Sequence, residues 1–135
     1  VKVADLNHPG GCLGFRIENN GTVFTYCSDV GHGRNLDENV LRLAQGADLL
    51  IHDAHFATLA ERDKYPDWGH STWYEAAQVA IEAGVRNLGL FHYGPDLTDD
   101  DVANILIKTR AMFPRTLLAK EGLEITLPLD NNLPE

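Results

Sequence analysis

The sequence predicts an α/β domain, and three observations predict it. Short apolar runs (Leu49-Leu50-Ile51, Leu88 to Phe91 and Thr116 to Ala119) have the length of buried strands. Amphipathic stretches with recognisable start and stop residues lie between them. Two alternating segments joined by Asn-Gly stand near the amino-terminal end. Strands that alternate with helices define this class.

In chain order, Val1 and Val3 alternate with Lys2 and Ala4, a strand that runs into Asn7-His8 before Pro9-Gly10-Gly11 turns the chain. Leu13, Phe15 and Ile17 alternate with polar or small residues as a half-buried strand. Asn19-Asn20-Gly21 makes the hairpin turn, and Thr22 to Cys27 returns. A helix is expected after N-cap Asn35, with Glu38 three residues on, apolar Leu36, Val40, Leu41 and Ala44, and a stop at Gly46. A second begins at the capping box Thr72-x-x-Glu75 and is expected to bury Trp73, Ala76, Ala77, Ala80 and Gly84. A third starts at N-cap Thr98, carries Asp99, Asp100 and Asp101 where the helix dipole favours anions, and ends at Pro114. Its apolar face is Val102, Ile105, Leu106 and Phe113. Leu123, Ile125 and Leu127 alternate as an expected last strand, and 128–135 is expected to be a tail beyond a domain spanning 1–127.

A chain of 135 residues fits one domain. Its 44% hydrophobic and 23% charged residues are those of an ordinary globular protein. Eleven Lys and Arg against twenty Asp and Glu give a net charge of −9, which excludes an extended nucleic-acid surface. A small anionic substrate held by metal ions stays open, because a bound cation dominates its local field. No apolar run approaches the roughly 20 residues of a membrane span. No secretory signal is apparent, and Cys12 and Cys27, without CxxC spacing, read as reduced thiols. A cytoplasmic location is expected.

Four expected strands close on an ionisable residue: His8, Asp29, Asp53 and His92. Ligands of open α/β sheets gather beyond the carboxyl ends of strands, so these residues can converge. His and Asp are the usual nitrogen and oxygen ligands of zinc and its neighbours. Strand alternation keeps His52 from facing the same site as Asp53. Each residue also has a plainer reading: His8 in a turn, Asp29 as a backbone acceptor, His92 in the core, His70 at a helix entry, and His32 and His55 at the surface. Gly10-Gly11-Cys12-Leu13-Gly14 opens a strand, whereas a dinucleotide loop opens a helix.

Taken in order, Asn7-His8-Pro9-Gly10-Gly11, Tyr26-Cys27-Ser28-Asp29, His52-Asp53-Ala54, Gly69-His70-Ser71-Thr72 and Phe91-His92-Tyr93 resemble the metallo-β-lactamase superfamily, in its RNase Z-like, phosphodiesterase-like branch. The resemblance covers Val1 to about Leu127. It implies the carboxyl-terminal half of an αββα sandwich, one mixed sheet with helices on one face. It further implies that His8 completes the imidazole set of a first metal, Asp29 bridges two metals, and His92 binds the second. His70 is then a proton donor to the leaving oxygen rather than a ligand, and Asp53 orients it. Tyr93 and His32 adjoin matched positions and would touch substrate.

The implied cofactors are two divalent metal ions, zinc first, with manganese or iron as alternatives, and the implied reaction is hydrolysis of a small phosphodiester by a metal-bridging hydroxide. The family's main signature, His-x-His-x-Asp-His, is absent from these 135 residues. Three ligands do not close two coordination spheres, so an amino-terminal half of the same domain is the expected partner. Without it the chain is expected to be inactive, with an uncovered sheet face that promotes self-association. The competing function is an interaction or regulatory domain of the same fold that has lost catalysis.

Overall fold

The computed structural model describes residues 1–129 and Leu133. Six strands form one sheet in sequence order: β1 (Lys2–Leu6), β2 (Cys12–Asn19), β3 (Thr22–Cys27), β4 (Leu49–Asp53), β5 (Leu88–Phe91) and β6 (Thr116–Leu118). The first three pair antiparallel and the last three follow β3 in parallel, so the sheet is mixed. At the β2–β3 turn Asn20 and Gly21 both take positive φ, 49° and 81°. That is the turn whose twist matches the flanking strands, and it explains the Asn-Gly pair.

Among the described residues four helices complete the fold: α1 (Glu38–Ala44), α2 (Leu59–Lys64), α3 (Trp73–Glu82) and α4 (Asp99–Met112). Side chains of α1, α3 and α4 pack with Leu50, Leu88 and Leu90 in the main core, which lies on one face of the sheet. Each such leucine, fully buried, contributes about 1.5–3 kcal/mol. Alternation sends Leu49, Ile51 and Leu117 to the other face, where Phe24, Tyr26 and Phe91 join them. None of the described helices is long and apolar enough to cross a membrane.

Several expectations are corrected. The N-cap of α1 is Asp37, not Asn35: its carboxylate accepts the N–H groups of Asn39 and Val40 at 2.8 and 3.0 Å, while its own N–H donates to His32 Nδ1. The short helix α2 was not expected, although Thr58-x-x-Glu61 forms a full capping box. Gly84 is exposed past the end of α3 with φ +63°, and the buried face of that helix takes Val79 and Glu75 instead. Leu123, Ile125 and Leu127 form no strand; they lay alternate side chains onto the second sheet face without ladder bonds. That face is therefore partly covered, and a groove of about 510 Å³ remains beside the segment. Most of the expected tail lies outside the described residues.

Candidate metal centre

The carboxyl ends of β1, β3, β4 and β5 share one edge of the sheet, because β1 runs with β3 and the rest are parallel. Hydrogen bonds then fix the loops at that edge. Asn7 and Gly31 exchange two, Gly31 N–H to Asn7 O at 2.9 Å and Asn7 Nδ2 to Gly31 O at 2.7 Å, which hold His8 beside the segment carrying Asp29. Ala54 N–H donates to Phe91 O at 2.8 Å and Gly94 N–H to His55 O at 3.0 Å, locking the exits of β4 and β5 together. His92 has φ +58°, a left-handed turn of the kind stored at functional positions at a cost of about 1–3 kcal/mol.

His92 Nε2 lies 3.4 Å from Asp29 Oδ1, whose second oxygen accepts the Ser28 hydroxyl at 2.6 Å. Ligand-capable atoms of His8, Asp29 and His70 all lie within 4.8 Å of one another, and so do those of His55, His70 and His92. Asp29 thus lies close to both His8 and His92. Nδ1 of His8, His55 and His92 are buried without a hydrogen-bond partner. Buried polar atoms rarely stay unpaired. Imidazole nitrogens and a carboxylate oxygen converging there have the donor chemistry of zinc and neighbouring divalent ions, so the residues fit such ions.

Asp53 is fully buried at the end of β4. Its Oδ2 accepts His70 Nδ1–H at 2.7 Å and Val30 N–H at 3.3 Å; its Oδ1 accepts the N–H groups of His55 and Ser71 at 3.0 and 3.2 Å. One carboxylate therefore ties three loops together and sets the His70 tautomer. The hydrogen bond to Asp53 pushes the His70 pKa above the ordinary histidine value, against the opposing effect of burial. Two residues after His70, Thr72 caps α3 through the Thr72–Glu75 capping box. Buried Glu75 is paired in turn with Arg62 of α2.

Two surface expectations fail. His55 is part of the cluster, its ring 4.6 Å from that of His70 and 5.4 Å from that of His92. Burial, and then repulsion from His70, lower its pKa. His32 is buried and meets His52 at 3.2 Å between Nε2 atoms. Because His32 Nδ1 accepts the Asp37 N–H, its Nε2 must donate to His52, whose Nδ1–H donates to Asp53 O. Both rings are thereby neutral, and His32 serves the fold rather than a substrate. Tyr93 does likewise: its hydroxyl donates to Leu90 O at 2.6 Å. Both cysteines are free, with burial pushing the Cys27 thiol up to about 12.

The neutral His32–His52 pair gives a pH prediction. Burial lowers the His32 pKa to about 3 and lowers that of His52 as well. Below about pH 6.5 the unfolded chain binds protons that the folded chain refuses, so stability falls as pH falls. Urea unfolding at pH 7.5 and 5.0 is expected to differ by about 1–2 kcal/mol from His32, and His32→Leu should flatten that part of the difference.

The family model described as Beta-lactamase superfamily domain matches residues 2–93. The chain belongs to that family. Among its relatives, ribonuclease Z of Gemmatimonas aurantiaca is 42% identical over 96 residues, covering 71% of this chain and 30% of that protein. The chain spans about a third of the length of the curated relatives it matches. Two solved structures share the fold at 24% identity. The metallo-beta-lactamase fold protein YhfI of Bacillus subtilis has a TM-score of 0.73 over 90% of this chain and 46% of that one. The short form of human tRNase Z has 0.70 over 94% and 41%.

Proposed function

We propose that this chain supplies one side of a dinuclear metal centre that hydrolyses phosphodiesters. His8, Asp29 and His92 are the ligands, and His70, oriented by Asp53, is the proton donor. Bound divalent ions, zinc first, would supply Lewis-acid charge and an acidified water. The observation that carries the reading is the meeting of Asp29 with His92 on one side and His8 on the other, next to a His70 whose Nδ1 is committed to a buried carboxylate.

Hydrolysis adds water across a P–O bond, and the oxygen that leaves needs a proton. His70 holds one nitrogen against Asp53, so its Nε2–H is the proton within reach of the cluster. The Asp53 carboxylate stabilises the imidazolium before the transfer and fixes the ring after it. The name ribonuclease Z carried by the relatives supports phosphodiesters as the substrate class. The charge of −9 favours small ones over long polyanions. Free Cys12 and Cys27 suit a reducing, cytoplasmic setting.

Since three ligands do not complete two coordination spheres, the remaining ones come from an amino-terminal half of the domain, packed over the groove lined by Phe24, Tyr26, Ile51 and Phe91. Metal analysis of the full-length protein, with bis(p-nitrophenyl) phosphate as substrate, tests the reading. About two equivalents and turnover are expected, with both lost in Asp29→Ala. Absence of metal and turnover would make the chain an interaction domain of the same fold.

A further inference from the structure

Beside the histidine cluster lies a cleft of about 330 Å³, at the lower end of the roughly 300–1,000 Å³ of small-ligand sites. One wall is the segment from the end of α2 to Trp68, the other is the 94–97 loop, and His55 also lines it. Tyr65 and Trp68 pack with ring centroids 4.2 Å apart and planes tilted by 30°, and Phe56 lies parallel to Tyr65 at 6.1 Å. Yet Tyr65 is 42% and Trp68 50% exposed. The contrast is Trp73, whose indole N–H is anchored on Ala57 O at 2.8 Å. The Tyr65–Trp68 pair presents a wide aromatic surface to solvent.

His55 joins this surface to the reacting centre. Its ring lies 6.2 Å from that of Trp68 and 4.6 Å from that of His70. A planar ring laid against Trp68 would therefore be one side chain away from the proton donor, about the reach of a sugar between a base and its phosphate. Lys64 lines the cleft together with Glu61 and Asp96, so the aromatic faces, not charge, are what this surface offers a ligand.

We propose that this cleft is the subsite for the base of a nucleoside phosphoester, with Tyr65 and Trp68 as the stacking platform and His55 directing the sugar toward His70. The proposal rests on the hydrolase reading above and names the part of the substrate next to the phosphate. Stacking on aromatic side chains tolerates any base, because each base has a π-face. The subsite therefore selects for the presence of a base rather than for its identity.

The test is calorimetric titration of the full-length protein with adenosine 5′-monophosphate and with ribose 5-phosphate, which lacks the base. Tighter binding of the nucleotide is expected. Trp68→Ala should weaken it about five- to a hundredfold while leaving ribose 5-phosphate unchanged, and Trp68→Phe should keep most of the preference. Tyr65→Ala gives the same readout if Trp68→Ala folds poorly. Equal affinity for the two ligands, or an equal loss of both in Trp68→Ala, overturns the subsite and leaves the hydrolase reading intact. Failure of the nucleotide to bind overturns the subsite, and turnover of bis(p-nitrophenyl) phosphate then decides the hydrolase reading separately.

Discussion

Replacing His70 with alanine in the full-length protein is expected to cut kcat on a phosphodiester by about 10²–10⁴-fold, the range of a positioned general acid. Metal content should stay near two equivalents. The reason is the hydrogen bond of 2.7 Å from His70 Nδ1 to Asp53, which commits one ring nitrogen and leaves the other as the proton donor of the proposed reaction. A carboxylate orients metal-bound imidazoles in the same way. Metal content is therefore the deciding measurement: a lost equivalent in His70→Ala would make His70 a ligand and remove it as the acid. Asp53→Asn separates orientation from chemistry less cleanly. Asp53 also accepts three backbone N–H groups, and a carboxamide NH2 turned toward one of them would cost a further 1–3 kcal/mol or so of stability.

The residues of this centre that could be read from the sequence are those that close a regular element. Asp53 follows three apolar positions of β4, Asp29 and His92 follow β3 and β5 by one or two residues, and His70 stands just before a capping box. In each case the periodicity of the neighbouring element fixes where the residue must lie. His55 has no such frame. It sits in the irregular segment between β4 and α2, where the hydrogen bond from Gly94 to its carbonyl and that from its own N–H to Asp53, both tertiary, set its direction. The His32–His52 pair was hidden for a different reason: its partners lie twenty residues apart and meet only because the loop after β3 folds over β4.

The same distinction explains the fold errors. Alternation in Leu123, Ile125 and Leu127 reports correctly that one side of the segment is buried, but a ladder needs a neighbouring edge that the pattern does not encode. The six residues of α2 are too few for a helical period, so Thr58 and Glu61 were its only signal. Asn35 and Asp37 are both good capping residues, and the choice between them was made by His32, which takes the Asp37 N–H. Local chemistry sets which residues are eligible, and tertiary partners choose among them.

A methyl group at position 69 should test the centre from its backbone side. Gly69 has φ +72°, and a Cβ there would come within 2.5 Å of Pro9 Cδ and 2.9 Å of both Cα and Cδ2 of His8. Gly69→Ala therefore combines a left-handed backbone penalty of about 1–2 kcal/mol with a clash against the residue proposed to ligate a metal. Gly84→Ala supplies the control, because its φ of +63° carries the same penalty with nothing within 4 Å. Gly84→Ala should cost about 1 kcal/mol and leave metal content alone. Gly69→Ala should cost about 2–4 kcal/mol by urea unfolding and weaken metal binding at least tenfold, since either His8 or the His70 loop must retreat. Equal behaviour of the two variants, in stability and in metal content, would show that the close packing of Gly69 on His8 does not position the ligand.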